Sequence, residues 1–149
     1  MSKKVFPVQF HFLTPCALAD RRRLKSFIVS IFKREKRPLE SILFVFCDDK
    51  TLLSLNVQFL KHDYYTDILS FPLSGPRKPL IGEIYISVQR VRENAANLDS
   101  SFREELHRVI FHGILHFCGF KDKTQADIRL MRKKEDKYLN SYFKKRRDN

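Results

Sequence analysis

The stretch Phe111-His112-Gly113-Ile114-Leu115-His116-Phe117-Cys118-Gly119-Phe120-Lys121-Asp122 decides how the rest of the chain is read. From Val109 to Phe117 the only side chains that are not apolar are Gly113 and the two histidines. A helix that is apolar nearly all round is a buried helix, and imidazoles buried in it need partners. His112 and His116 are four residues apart, so on a helix they point the same way, about 6 Å from each other along the axis. That spacing lets two ring nitrogens grip one metal ion. Gly119 follows where a helix can end in a left-handed cap, and the turn beyond it can bring Asp122 back toward the imidazoles as a third ligand. A lone buried histidine is more often a hydrogen-bonded core residue. The pair, the glycine stop and the carboxylate in reach together favour a metal over core packing.

Around this helix the chain has 149 residues, enough for one domain with a real core, and a hydrophobic fraction of 43% that suits a globular fold. No run of about 18 apolar residues occurs, so no membrane span is expected. The first residues lack the long apolar stretch of a signal peptide. Cys16, Cys47 and Cys118 are odd in number, far apart and outside any C-x-x-C pattern, which favours free thiols and the cytoplasm. With 29 lysines and arginines against 17 aspartates and glutamates, the formal charge is +12, an excess that draws polyanions. Nucleic acid is the first partner to consider, an acidic membrane surface the second.

Taken in order, residues 5–13 read as a strand that Pro7 places at an edge. Asp20 is placed to cap a helix running to about Lys36 with Leu24, Phe27, Ile28, Ile31 and Phe32 inward. Residues 41–47 form a buried strand. Residues 51–60 form a short helix with Leu52, Leu55 and Phe59 on one face. Residues 68–73 and 80–88 pair as a hairpin across the Gly/Pro turn at 74–79. Helices follow at 88–98, with Val88, Val91, Ala95 and Leu98 facing in, at about 101–117, and from Thr124 to Phe143, where Ile128, Met131, Leu139 and Tyr142 pack. On the histidine helix, Glu105 shares a side with His112 and His116. The last helix carries Arg129, Arg132, Lys133, Lys134 and Lys137 outward and leads into a basic tail, about 144–149. The expected fold class is α+β: one domain over 1–149, a single mixed sheet of about four strands covered by helices, the buried histidine helix at its centre.

The motif His112-Gly113-x-Leu115-His116-x-x-Gly119 resembles the signature H-G-x-L-H-L-x-G-Y-D-H of the YbeY family, the metal-dependent endoribonucleases of bacterial ribosomal RNA maturation. Leu55-Asn56-x-x-Phe59, then Asp63-x-x-Thr66-Asp67-Ile68-Leu69-Ser70-Phe71-Pro72, is similar to that family's L-N-x-x-Y-R-x-x-D-x-P-T-D-V-L-S-F-P. Ile81-Gly82-Glu83-Ile84-Tyr85-Ile86-Ser87 is similar to L-G-D-I-V-I-S. The resemblance covers nearly the whole chain. It implies a hydrolase that cuts single-stranded RNA, acts on ribosomal RNA at the 3′ end of the small subunit's RNA, and takes part in ribosome quality control.

The resemblance also implies one divalent metal on three histidines, of which the third falls at Asp122 here. The expected ligands are therefore His112, His116 and Asp122. Zinc is the first expectation, and the added carboxylate admits manganese, iron or nickel. The family's arginine aligns with Leu60, and Lys61 beside it can supply charge but no bidentate fork. Lys61, Lys121, Lys123, Arg132, Lys133 and Lys134 are the expected RNA contacts, with Lys61 also a candidate for the catalytic step. Tyr64 and Tyr65 can stack unpaired bases, and Thr66, Asp67 and Ser70 can shape the cleft wall. Gly113 stands where zinc peptidases carry a glutamate, which counts against proteolysis. A base can be the metal hydroxide itself or Glu83, for which a strand-edge carboxylate paired with a cation is the plainer account. Two rivals are a ribosome-associated RNA binder that has lost the chemistry, and a two-histidine, one-carboxylate iron oxygenase. The sequence leaves the oligomeric state open.

Overall fold

The computed structural model describes residues 6–144, so the basic tail from Lys145 onward lies outside the described residues. The strands are β1 (Val8–Phe12), β2 (Leu39–Cys47), β3 (Ile68–Pro72) and β4 (Leu80–Ser87). The helices are α1 (Arg21–Arg34), α2 (Asp49–Leu60), α3 (Val88–Asn97), α4 (Phe102–Phe117) and α5 (Gln125–Phe143). The sheet order is β1-β2-β4-β3, with β1 on β2 and β2 on β4 parallel and β3 antiparallel to β4. This is the α+β fold with one mixed four-stranded sheet. Parallel neighbours need a crossover, and α1 supplies it between β1 and β2. Pro7 sits just before β1, at the sheet edge, where no ladder donor is lost. No helix among the described residues is long and apolar enough to cross a membrane.

Strand alternation sorts side chains onto two faces. Ile42, Phe44 and Phe46 of β2 and Ile84 and Ile86 of β4 join Leu24, Ile28, Ile31 and Phe32 of α1 and most of buried α4 in the main core. On the opposite face, Cys47 and Leu69 pack with Leu52 of α2, flanked by Leu55, Phe71 and Tyr85. The helix α4 therefore lies against β3 and β4, with α3 and α5 beside it. Gly113 allows this approach: a Cβ there would meet Ile68 Cδ1 and Ile84 Cδ1 at 2.8 Å each. Fully burying each large apolar side chain contributes roughly 1.5–3 kcal/mol, so the seat of α4, with Leu106, Ile110, Phe111, Ile114 and Leu115 all at 0% exposure, is among the most strongly held elements.

Four sequence expectations are corrected here. Asp20 precedes α1 but adopts a left-handed conformation and makes no side-chain cap; its carboxylate faces Arg103 at 3.8 Å. Leu98 falls at the C-cap of α3, past the last inward turn, and is 57% exposed. Ile128, in the first turn of α5, is 45% exposed because that turn overhangs a cleft rather than the core. Phe59 on α2 is exposed, while its neighbour Asn56 is buried, its amide donating to the Tyr64 carbonyl at 2.9 Å.

Candidate metal centre

The site is built from the C-terminal half of α4 and the turn after it. Ser101 caps the start of α4, accepting from the Glu104 N–H, which fixes the helix register. At the other end Gly119 has φ +99°, its N–H donates to the His116 carbonyl at 3.0 Å, and Phe120 N–H donates to the Leu115 carbonyl at 3.0 Å. These two bonds make a Schellman turn. It reverses the chain so that residues 120–122 fold back over the last turn of the helix.

The reversal has two effects on the histidines. The Phe120 carbonyl accepts from His116 Nδ1 at 2.9 Å, and Asp122 Oδ2 arrives 3.2 Å from His116 Nε2 and 3.4 Å from His112 Nε2. His112 Nδ1 donates to Glu135 Oε2 of α5 at 2.6 Å. A carbonyl and a carboxylate can only accept, so both ring protons sit on Nδ1 when the imidazoles are neutral. The two Nε2 lone pairs then face each other at 2.9 Å with the Asp122 oxygen beside them. Three acceptors converge with no donor among them, an arrangement that repels itself until a cation lies between. The edges of this triangle, 2.9, 3.2 and 3.4 Å, match the separation of about 3.3 Å that two ligands at about 2.05 Å from a tetrahedral metal must have. His112, His116 and Asp122 thus form a donor set that fits a divalent metal.

Beside the triangle lies a cleft of about 400 Å³, walled by Ile68, Val109, Ile128 and Met131 and lined by Asp67, Glu105, Asp122 and Glu135 against Arg108 and Arg132. The chain is basic overall, yet its cleft holds more carboxylates than guanidiniums. Burial pushes the carboxyl pKa of Asp67 up against the opposing pull of His112, and Asn94 Nδ2 donates to Asp67 Oδ2 at 3.1 Å. Burial also raises Glu105, with Arg108 working the other way. For His112, burial disfavours the charged ring, yet Glu135, Asp122 and Asp67 carry its pKa above the usual value.

The other residues singled out from sequence lie at varied distances from this centre. Asp67 lines the cleft; Thr66 turns its hydroxyl to the Ile68 carbonyl at 3.4 Å, and Ser70 lies half-buried on β3. Lys121 and Lys123 are exposed on either side of Asp122, and Arg132 stands at the cleft edge with its side chain 54% exposed. Lys133 is exposed on α5, whereas Lys134 is held by Glu35 Oε2 at 3.1 Å. Lys61 is the left-handed C-cap of α2, exposed and outside the cleft lining, with the partly exposed Leu60 before it. Tyr64 and Tyr65 are exposed, Tyr64 stacked on His62 and Tyr65 under the Arg90 guanidinium.

Glu83 is corrected: Gly82 and Ile84 face α4, so Glu83 projects from the opposite face of β4 and accepts from the Tyr85 hydroxyl at 2.9 Å. It cannot serve as a base at this centre.

Glu135 and Arg108 were not singled out from sequence, although both belong to the site. Glu135 falls in register with Met131, Tyr138 and Tyr142, the buried stripe of α5. A carboxylate on an apolar stripe was the signal available. Its partners could not be read, because they come from α4.

Comparison with known proteins places the chain in a family. The family model described as Endoribonuclease YbeY matches residues 17–143. The Endoribonuclease YbeY of Flavobacterium johnsoniae is 41% identical over 132 residues, covering 89% of this chain and 94% of that one. That of Christiangramia forsetii is 48% identical over 115 residues, 77% of this chain and 80% of its own. Among solved structures, the solution structure of TM1509 from Thermotoga maritima superposes with a TM-score of 0.60 at 25% identity, covering 92% of this chain and 89% of that one. A match that takes in all of α4, the Schellman turn and α5 leaves no part of the centre outside it, and the chain belongs to the Endoribonuclease YbeY family.

Proposed function

We propose that this protein is a metal-dependent endoribonuclease that cuts single-stranded RNA and acts on ribosomal RNA at the 3′ end of the small subunit's RNA. Family membership supports the endoribonuclease class. The single observation that carries the metal centre is the convergence of His112 Nε2, His116 Nε2 and Asp122 Oδ2 with both Nδ1 protons already committed. Zinc suits two imidazoles and one carboxylate, with manganese, iron and nickel as the other ions this set can hold. Work on the small ribosomal subunit in the cytoplasm belongs to the same reading, as do three free cysteines.

His112, His116 and Asp122 would hold a divalent metal, which would supply Lewis-acid chemistry toward a phosphate oxygen or the attacking water. The chain's own residues do the rest. Arg132, at the cleft edge and only loosely tied to Glu135 at 3.8 Å, is placed to fork onto a phosphate. Lys121 and Lys123 flank the entry and offset the strand's charge. Asp67 and Glu105 are the cleft carboxyls whose burial favours the neutral form; Asp67 is held by Asn94 at 3.1 Å, so Glu105 is the one assigned to hand a proton to the departing oxygen. Asp122 brings a full negative charge to the triad where a histidine would bring none, which lowers the Lewis acidity there and tightens the hold on the ion.

The test is cleavage of a single-stranded ribosomal RNA 3′-end fragment, with metal content measured in the same samples of wild type, Asp122→Ala and His116→Ala. About one metal per chain, lost in both variants together with cleavage, is expected. Well-folded wild type that neither holds metal after reloading nor cuts RNA refutes the nuclease reading and leaves an RNA binder of the same fold.

A further inference from the structure

Glu135 is only 5% exposed, on an α5 stripe that is otherwise Met131, Tyr138, Leu139 and Tyr142. A carboxylate in such a place must be paired, and its two oxygens are divided. Oε1 accepts from Arg108 Nη1 at 3.1 Å, with Arg132 further off at 3.8 Å, and Oε2 accepts from His112 Nδ1 at 2.6 Å. Arg108 is itself steadied by Asp136 at 2.9 Å. A clasp between α4 and α5 needs only the arginine pair. The second oxygen does something the clasp does not require: it selects the His112 tautomer and aims the ring.

We propose that Glu135 is a positioning residue of the metal centre, holding His112 through Nδ1 so that Nε2 alone faces the ion, with Arg108 fixing the carboxylate that does so. The proposal rests on the reading of His112, His116 and Asp122 as metal ligands. His116 is oriented by a neutral carbonyl on its own turn, so the two rings are not equivalent. The His112 ring is bonded to a carboxylate and is the one whose aim depends on a separate helix. Partners of this kind typically change metal affinity 10–100-fold when removed.

The experiment compares wild type, Glu135→Gln, Glu135→Leu and His112→Ala, reading Zn(II) and Co(II) dissociation constants by chelator competition, the visible absorption of the Co(II) forms, and the melting temperature of the metal-free proteins. Gln keeps an acceptor for Nδ1 but no charge, so its affinity should fall between those of wild type and Leu, with Leu weaker by about 10–100-fold and an altered Co(II) band in both. Where Leu fails to fold, Gln carries the comparison. Glu135 variants that bind Zn(II) and Co(II) as wild type does, with an unchanged band and only a lower melting temperature, would reduce Glu135 to a structural clasp and overturn the proposal. Wild type without metal, or His112→Ala binding as wild type, would instead overturn the ligand reading beneath it.

Discussion

Gly113→Ala tests how closely the histidine helix must approach the sheet. The alanine Cβ would sit 2.8 Å from Ile68 Cδ1 and 2.8 Å from Ile84 Cδ1, each 0.6 Å inside the 3.4 Å where ordinary contact begins (3.4 − 2.8 Å), with Ile84 Cγ2 at 3.4 Å as well. Ile84 is fully buried among core side chains and has little room to turn away. Alanine gains about 1 kcal/mol over glycine in a helix interior, and overpacking a filled core costs about 1–3 kcal/mol. The net is a loss of up to about 2 kcal/mol, which for a chain of this length lowers the melting temperature by up to roughly 8 °C. The same displacement pushes His112 off its line to Glu135, so Zn(II) affinity falls along with stability. Thermal melts of metal-free protein and chelator competition on folded protein read the two effects separately. A melting temperature that rises, as helix propensity alone would have it, refutes the argument that Gly113 is there for close approach.

Three further expectations follow from the cleft and the core. Glu105→Gln should lower single-strand cleavage by about 10²–10⁴-fold, the usual worth of general acid–base catalysis, with metal content unchanged; unaltered rates in a single-turnover assay would remove Glu105 from the chemistry. Arg132→Ala should weaken single-stranded RNA binding and reduce the slope of log affinity against log salt by about 0.7, one phosphate contact; an unchanged slope would place Arg132 off the strand. Burial, with Asp48 and Asp49, raises the Cys47 thiol from 9.0 to about 11, and burial with Glu35 raises Cys118 to about 12. Both thiols stay protonated longer in the folded chain than in the unfolded one. Their contribution to stability is therefore complete below pH 9.0 and is lost as pH climbs through about 11 and about 12. Urea melts from pH 8 to 11 should show that decline, and alkylation at pH 8 should be slow until denaturant is added; prompt alkylation of native protein would contradict it.

How much of this was readable beforehand varies with how local the cause is. The buried helix, its glycine stop and the return of Asp122 were all signalled within twelve residues, because i,i+4 spacing and a left-handed glycine are local geometry. The β3–β4 hairpin was readable for the same reason, from two apolar runs flanking a Gly/Pro turn. The face of β4 was readable too: Gly82, Ile84 and Ile86 alternate with Glu83 and Tyr85, and that period of two already turns Glu83 away from α4. Glu135 and Arg108 were not readable, since which helix lies across α4, and in what register, is settled by tertiary packing of Phe27, Phe111, Tyr138 and Tyr142. Ile128 and Leu98 were misplaced because helical spacing marks a face, and the first turn of α5 and the last of α3 run past the core they point toward.

The most direct test of the account is metal-edge X-ray absorption on the purified protein loaded with one equivalent of Zn(II). Two nitrogen neighbours of imidazole type at about 2.0–2.1 Å and oxygen at about 2.0–2.2 Å, with one imidazole lost in His112→Ala and the protein carboxylate lost in Asp122→Ala, is the predicted result. A spectrum with sulfur neighbours, or one that neither substitution alters, would contradict the claim that His112, His116 and Asp122 hold the ion.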